Sequence, residues 1–119
     1  VTRILALGVV LLASTAFASD EEKMHFDVEH HFTKADARAR AQMLFEYWRR
    51  AYGVDTQWDG DRAHVVGRVL GIDINAVLEV TDQHIGGDGD DPGPIFRGLA
   101  KSYVTKKLQK YMHPQYLEQ

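Results

Sequence analysis

The chain has 119 residues, 45% of them hydrophobic and 26% charged, a composition that suits one globular domain and leaves no room for a second. Its net charge of −3 lacks the basic excess of a nucleic-acid binder. It contains no cysteine, which removes disulfides, thiolate metal sites, iron–sulfur clusters and cysteine nucleophiles together. Ser102 stands in Ala-Lys-Ser-Tyr, without the Gly-x-Ser-x-Gly elbow of a serine hydrolase, and the other serines, Ser14 and Ser19, lie in the leading segment.

That segment has its own logic. Arg3 is followed by an apolar run from Ile4 to Ala13, then by Ala16-Phe17-Ala18 and the polar Ser19-Asp20-Glu21-Glu22-Lys23. This is the three-part layout of a secretory signal peptide, and the apolar run is too short to span a membrane. Residues 1–18 are expected to be removed on export and 19–23 to form a polar linker. The competing reading starts translation at Met24, where the folded pattern begins.

From Met24 to His31 apolar and polar residues alternate, the mark of a half-buried strand. Thr33, with Asp36 three residues on, opens a helix expected from about Lys34 to Tyr52. Ala37, Ala41, Leu44, Trp48 and Ala51 form its apolar stripe, widened by Phe45 and Tyr52, while Arg38, Gln42, Glu46 and Arg50 form a wet face. Glu46 and Arg50 are spaced to pair, and Gly53 suits the left-handed stop.

Val54 to Trp58 reads as a short strand, and Asp59-Gly60 as a hairpin turn. Arg62 to Leu70 alternates, the chain reverses near Gly71, and Ile72, Ile74, Ala76, Leu78 and Val80 share one face of the next strand. Gly86, Gly87 and Gly89 weaken any strand at His84 to Asp88, which is expected as a frayed edge. Asp91-Pro92 offers an N-cap and first position for the last helix, with Gly93-Pro94 a second start one turn later. Phe96, Leu99, Ala100, Tyr103, Leu108, Tyr111 and Met112 give that helix its apolar stripe, and Pro114 stops it. The expected fold is α+β: an antiparallel sheet of four or five strands, in the order β-α-β-β-β-(β)-α, with both helices on one face.

The order of these pieces resembles the polyhydroxyalkanoic acid system protein family. The matching residues include Val28-Glu29-His30, the helix start Thr33 to Arg38, Trp58-Asp59-Gly60-Asp61, Leu70-Gly71-Ile72, Leu78-Glu79-Val80-Thr81-Asp82 and the terminal Lys/Leu/Tyr-rich helix. The resemblance covers a domain at 24–113 and leaves a tail at 114–119. It implies a small bacterial accessory protein of polyhydroxyalkanoate metabolism, with the storage-granule surface or a granule protein as partner. It brings no catalytic residues and no cofactor. Granules are cytoplasmic, so the granule role and export exclude each other.

Three groups of residues carry candidate chemistry. His25, Asp27, Glu29 and His31 are expected on one face of the first strand, with His64 and His84 on neighbouring strands. Imidazole and carboxylate at i and i+2 can reach one divalent metal or serve as acid and base, but any sheet with one solvated face alternates in this way. His30 is expected to point inward or to end the strand. Gly86-Gly87-Asp88-Gly89-Asp90-Asp91 is rich in oxygen donors yet lacks the calcium-loop spacing, so a flexible acidic turn is the plainer reading. In the last helix Lys101, Lys106, Lys107 and Lys110 form a basic face suited to an anionic or polymer boundary, its apolar stripe being expected to join the core. Acidic and basic groups segregate to different elements, which predicts a molecular dipole. Without nucleophiles the chain reads as a non-enzymatic accessory or binding protein. The alternatives are an exported ligand- or partner-binding module and a metal-dependent enzyme using the sheet face.

Overall fold

In the computed structural model, which describes residues 23–116, the elements run β1 (Lys23–Glu29), α1 (Lys34–Tyr52), β2 (Asp55–Asp59), β3 (Arg62–Val69), β4 (Ile72–Val80), β5 (His84–Asp90) and α2 (Arg97–Tyr111). The segment 1–22 and the last residues, 117–119, lie outside the described residues, and with them the expected export signal. All five strands join one antiparallel sheet in the order β1-β5-β4-β3-β2.

Strands β1 and β2 therefore stand at opposite edges, and α1 carries the chain back across the apolar face between them. Residues 55–90 form a meander joined by tight reversals. Register fixes the faces: Met24 opposes Gly89, Val28 opposes Ile85, Leu78 opposes Gly87, and Ala63 opposes Leu78. These positions and the matching residues of β2 face the two helices; His25, Asp27, Glu79, His64 and their register partners face solvent.

Local chemistry accounts for the boundaries. Thr33 Oγ1 accepts the Asp36 N–H at 3.1 Å and caps α1. Gly53, at φ +77°, ends α1 and sends its N–H to the Arg49 carbonyl at 2.9 Å. Arg40 closes the far side: its Nη1 donates to the carbonyls of Tyr111, His113 and Tyr116 at 3.0, 3.1 and 3.0 Å, beyond which α2 does not continue. Its guanidinium also lies 4.2 Å from the Phe32 ring centroid, so one side chain ties the β1–α1 loop to the end of α2.

The core lies between sheet and helices and includes Phe26, Ala41, Leu44, Phe45, Trp48, Val65, Ile85, Leu108 and Tyr111. Trp48 is 7% exposed and donates through Nε1 to the Tyr103 hydroxyl at 3.1 Å, joining α1 to α2. His30, 2% exposed, points inward as expected: Nε2 donates to the Thr81 carbonyl at 2.8 Å, and Nδ1 accepts the Phe32 N–H at 3.1 Å. The pair of bonds fixes one ring tautomer.

Several expectations need correction. The glycine-rich strand is neither frayed nor an edge: β5 is paired on both sides, with β1 and β4. Cβ atoms at Gly86 and Gly87 would lie 2.3 Å from the Phe26 carbonyl and 1.9 Å from the Val77 carbonyl, so the glycines permit the close approach. The acidic-turn reading of Gly86 to Asp91 falls with it, since most of that segment is strand. Helix α2 begins at Arg97, not at Pro92. Gly93, at φ +103°, breaks the early start, and Asp91 caps a turn instead, accepting the Gly93 N–H at 2.8 Å and Arg97 Nε at 2.6 Å. Arg38 and Gln42 fold over the sheet edge rather than into water: Arg38 lies 4.1 Å from the Trp58 ring centroid, and Gln42 Oε1 accepts from Trp58 Nε1 at 2.7 Å. Gln42 Nε2 in turn donates to Glu46 at 2.8 Å, which steadies its reach toward Trp58.

Candidate functional site

The solvent face of the sheet carries most of the candidate acid–base residues, but in separate pairs. His25 Nδ1 bonds Asp88, its register partner across β1 and β5. His84 Nδ1 bonds Asp27 at 2.9 Å, and His64 Nε2 bonds Asn75 Oδ1 at 2.7 Å. His31 is not on this face, because β1 ends at Glu29 and His31 lies in the loop before α1. Glu29 lies opposite His84 in the register. Among the described residues no three His, Asp or Glu side chains gather as a group able to hold a metal ion.

Charge is segregated as expected. Asp27, Glu79, Asp88 and Asp90 stand on the solvent face of the sheet, while Arg49, Lys101, Lys106 and Lys110 stand on the exposed sides of the helices. The four lysines are not equivalent. Lys101 and Lys106 are exposed, Lys107 folds its ammonium over the Tyr47 ring at 4.6 Å, and Lys110 lies 5.1 Å from the Tyr116 ring centroid. A shallow concavity of about 470 Å³ opens between Lys106, Lys110, His113 and Tyr116.

The apolar stripe of α2 departs most from expectation. Leu108, Tyr111 and Met112 are buried, but Leu99 is 70% exposed and Phe96 is also exposed, as is Ile95, at 83%, in the preceding turn. Ala100 and Tyr103 pack half-buried against the core, so only the start of the stripe, Phe96 and Leu99, stays outside it. The β3–β4 hairpin adds to this apolar end. Its two-residue turn is Leu70-Gly71, with φ +52° and +84°, and Leu70 is 88% exposed. Two positive φ values are what a type I′ turn requires, but the first position normally holds Asn, Asp or Gly. A leucine there is strained, unburied and apolar at once.

Between the hairpin and α2 lies a cleft of about 70 Å³, bordered by Trp48, Ile72, Ile74, Ala76, Ala100 and Val104 among others. Sequence reading missed this site because it assigned the whole α2 stripe to the core. The available signal was Leu70-Gly71, a hydrophobic residue at a hairpin tip.

Two ionisable groups at this end are shifted. The Gly93 N–H and the Arg97 guanidinium hold the Asp91 carboxyl below its ordinary value of 3.8, and burial pushes the Tyr103 phenol up. Because the folded-state value of Asp91 is lowered, its contribution is complete above pH 3.8 and is lost as pH falls through the folded value. The turn into α2 is therefore expected to hold at neutral pH and to loosen only in acid below that point. NMR titration of the Asp91 carboxyl carbon reads its midpoint, and Asp91→Asn should show the loosened turn already at pH 7.

The fold and its surfaces thus define a small α+β protein with an acidic sheet face, a basic helical side and an apolar end. The family model described as "Putative polyhydroxyalkanoic acid system protein" matches residues 24–113, and the chain belongs to that family. No curated protein and no solved structure gives a significant match.

Proposed function

We propose that this chain is a non-enzymatic accessory protein of polyhydroxyalkanoate metabolism that attaches to the surface of the polymer granule. The observation that carries the reading is the set of exposed apolar side chains near the cleft bordered by Ile72 and Ala100: Leu70 in the hairpin turn before Ile72, Ile95, Phe96 and Leu99 ahead of Ala100, with Lys101 next on α2. Exposed apolar side chains flanked by lysines suit the boundary between a hydrophobic phase and water. The family match supports the metabolic setting, and the lack of cysteine and of a serine-hydrolase elbow supports a role without covalent catalysis.

Co-sedimentation with purified granules tests the attachment. Added salt should weaken the lysine contribution by screening, and replacing Lys101, Lys106 and Lys110 by glutamine should remove the salt-sensitive part while thermal melts barely change. Equal sedimentation of wild type and the triple variant at every salt concentration would take the lysines out of the mechanism.

Leu70→Asn separates stability from function. Asparagine tolerates the left-handed region, so the variant should gain up to about 1–2 kcal/mol of stability, yet it should bind granules more weakly. Unchanged binding would exclude the hairpin tip from the contact. Granule attachment also needs the cytosolic compartment. Intact-mass spectrometry of the native protein is expected to find a form starting at Met24; one starting at Ser19 would turn the reading to an exported binding module.

A further inference from the structure

We propose that the cleft between α2 and the β3–β4 hairpin binds a short, uncharged aliphatic chain, such as the alkyl branch of a polyester repeat unit. The choice of polyester rests on the granule reading above; the preference for an uncharged aliphatic chain rests on the cleft alone.

The cleft exists because small residues meet where large ones would close it. Ala76 and Gly89 are register partners across β4 and β5, and Ala100 and Val104 line the cleft from α2. A Cβ at Gly89 would lie 3.2 Å from the Ala76 Cβ, a crowded distance, and 3.5 Å from the Phe26 ring, so the missing side chain avoids that crowding and keeps the floor low. Ile72 and Ile74 are only half-buried and leave the mouth open along the hairpin. The volume of about 70 Å³ is room for about two or three water-sized groups, at a water's roughly 30 Å³ each. A propyl branch fills that space.

Electrostatics selects among aliphatic ligands. No lysine or arginine borders the cleft, and its charged border residues are both acidic, Asp73 and Asp90. Each is engaged by a cation, Arg68 at 3.0 Å and Lys23 at 2.9 Å. A free fatty acid or hydroxy acid would bring a carboxylate to a border of two carboxylates whose cations are already engaged, whereas an ester-linked chain brings no charge. The site therefore suits the polymer or its esters over the free monomer acid.

The test is an NMR titration of the protein with methyl esters of 3-hydroxybutanoate, 3-hydroxyhexanoate and 3-hydroxyoctanoate, and with the sodium salts of the same acids. Shifts should centre on Met24, Trp48, Ile74 and Val104. Affinity should rise about fourfold per added methylene until the cleft is full, and the acids should bind at least tenfold more weakly. Ala100→Leu should abolish the shifts with the melt unchanged, and Ile74→Ala, which widens the mouth, should move the preference toward the longer ester. Equal binding of ester and acid, ester binding retained in Ala100→Leu, or no shifts with any ester would each overturn the site. So would a dimer in sedimentation equilibrium that Ala100→Leu dissociates, because a second copy would then be the occupant. Granule co-sedimentation of wild type runs in parallel: sedimentation without ester shifts refutes the cleft and keeps the granule reading, and ester shifts without sedimentation do the reverse.

Discussion

Trp48→Ala is expected to lower the unfolding free energy by about 3–5 kcal/mol, the range for emptying a large aromatic site in a core. Trp48 is 7% exposed on the sheet-facing side of α1. Its ring lies 6.0 Å from Phe45 and 6.5 Å from Tyr103, centroid to centroid, and its indole N–H bonds the Tyr103 hydroxyl. Truncation opens a void between the helices and removes the donor from a partly buried phenol. It also strips one wall from the cleft, so α2 should loosen before the sheet does. Denaturant titration gives the loss, and hydrogen exchange along residues 97–111 shows where it falls; a loss below about 1 kcal/mol, far under that range, would mean the indole is not a core element.

Gly87→Ala is expected to be as damaging, at about 3 kcal/mol or more. Ordinary overpacking costs about 1–3 kcal/mol because side chains can shift. Here the added carbon would lie 1.9 Å from the Val77 carbonyl oxygen and 2.9 Å from the Leu78 Cα, both backbone atoms of β4, the strand beside β5. Either the β4–β5 pairing opens or β5 is displaced, and β5 is the strand through which β1 joins the sheet. Gly98 is the control: it lies in α2 with nothing within 4 Å of an added Cβ, so Gly98→Ala should gain roughly 0.4–1 kcal/mol. Thermal melts of the two variants should move in opposite directions. Similar melts would contradict the packing of β5.

Much of the architecture is legible in the chain because alternation and capping are local. Met24, Phe26 and Val28 announce β1, Thr33 and Gly53 bracket α1, and Asp59-Gly60 and Gly71 mark the hairpins. What is not legible depends on neighbours distant in sequence. The glycines of β5 read as weak because they offer nothing to pack, but Phe26, on a strand about 60 residues earlier, covers them. Asp91-Pro92 has the chemistry of a helix start and is overruled by the conformation of Gly93. The stripe on α2 is real, but how much of it meets the sheet depends on the placement of the helix, which no periodicity encodes. For that reason Phe96 and Leu99, exposed in the structure, are the residues of the stripe that sequence reading assigned wrongly to the core.

The sheet order also dictates a folding sequence. Strands β2 to β5 pair with their chain neighbours, so that meander forms by closing turns of a few residues. Strand β1 pairs only with β5, from Lys23 with Asp90 to Glu29 with His84, and must close a loop of more than fifty residues first. Contacts of such separation form late because chain entropy opposes them until the rest is in place. The first strand of this sheet in chain order is then the last to dock. Until it does, the glycine-rich flank of β5 presents bare backbone donors and acceptors to any other extended chain. Crowded synthesis is thus the moment of greatest aggregation risk for this protein.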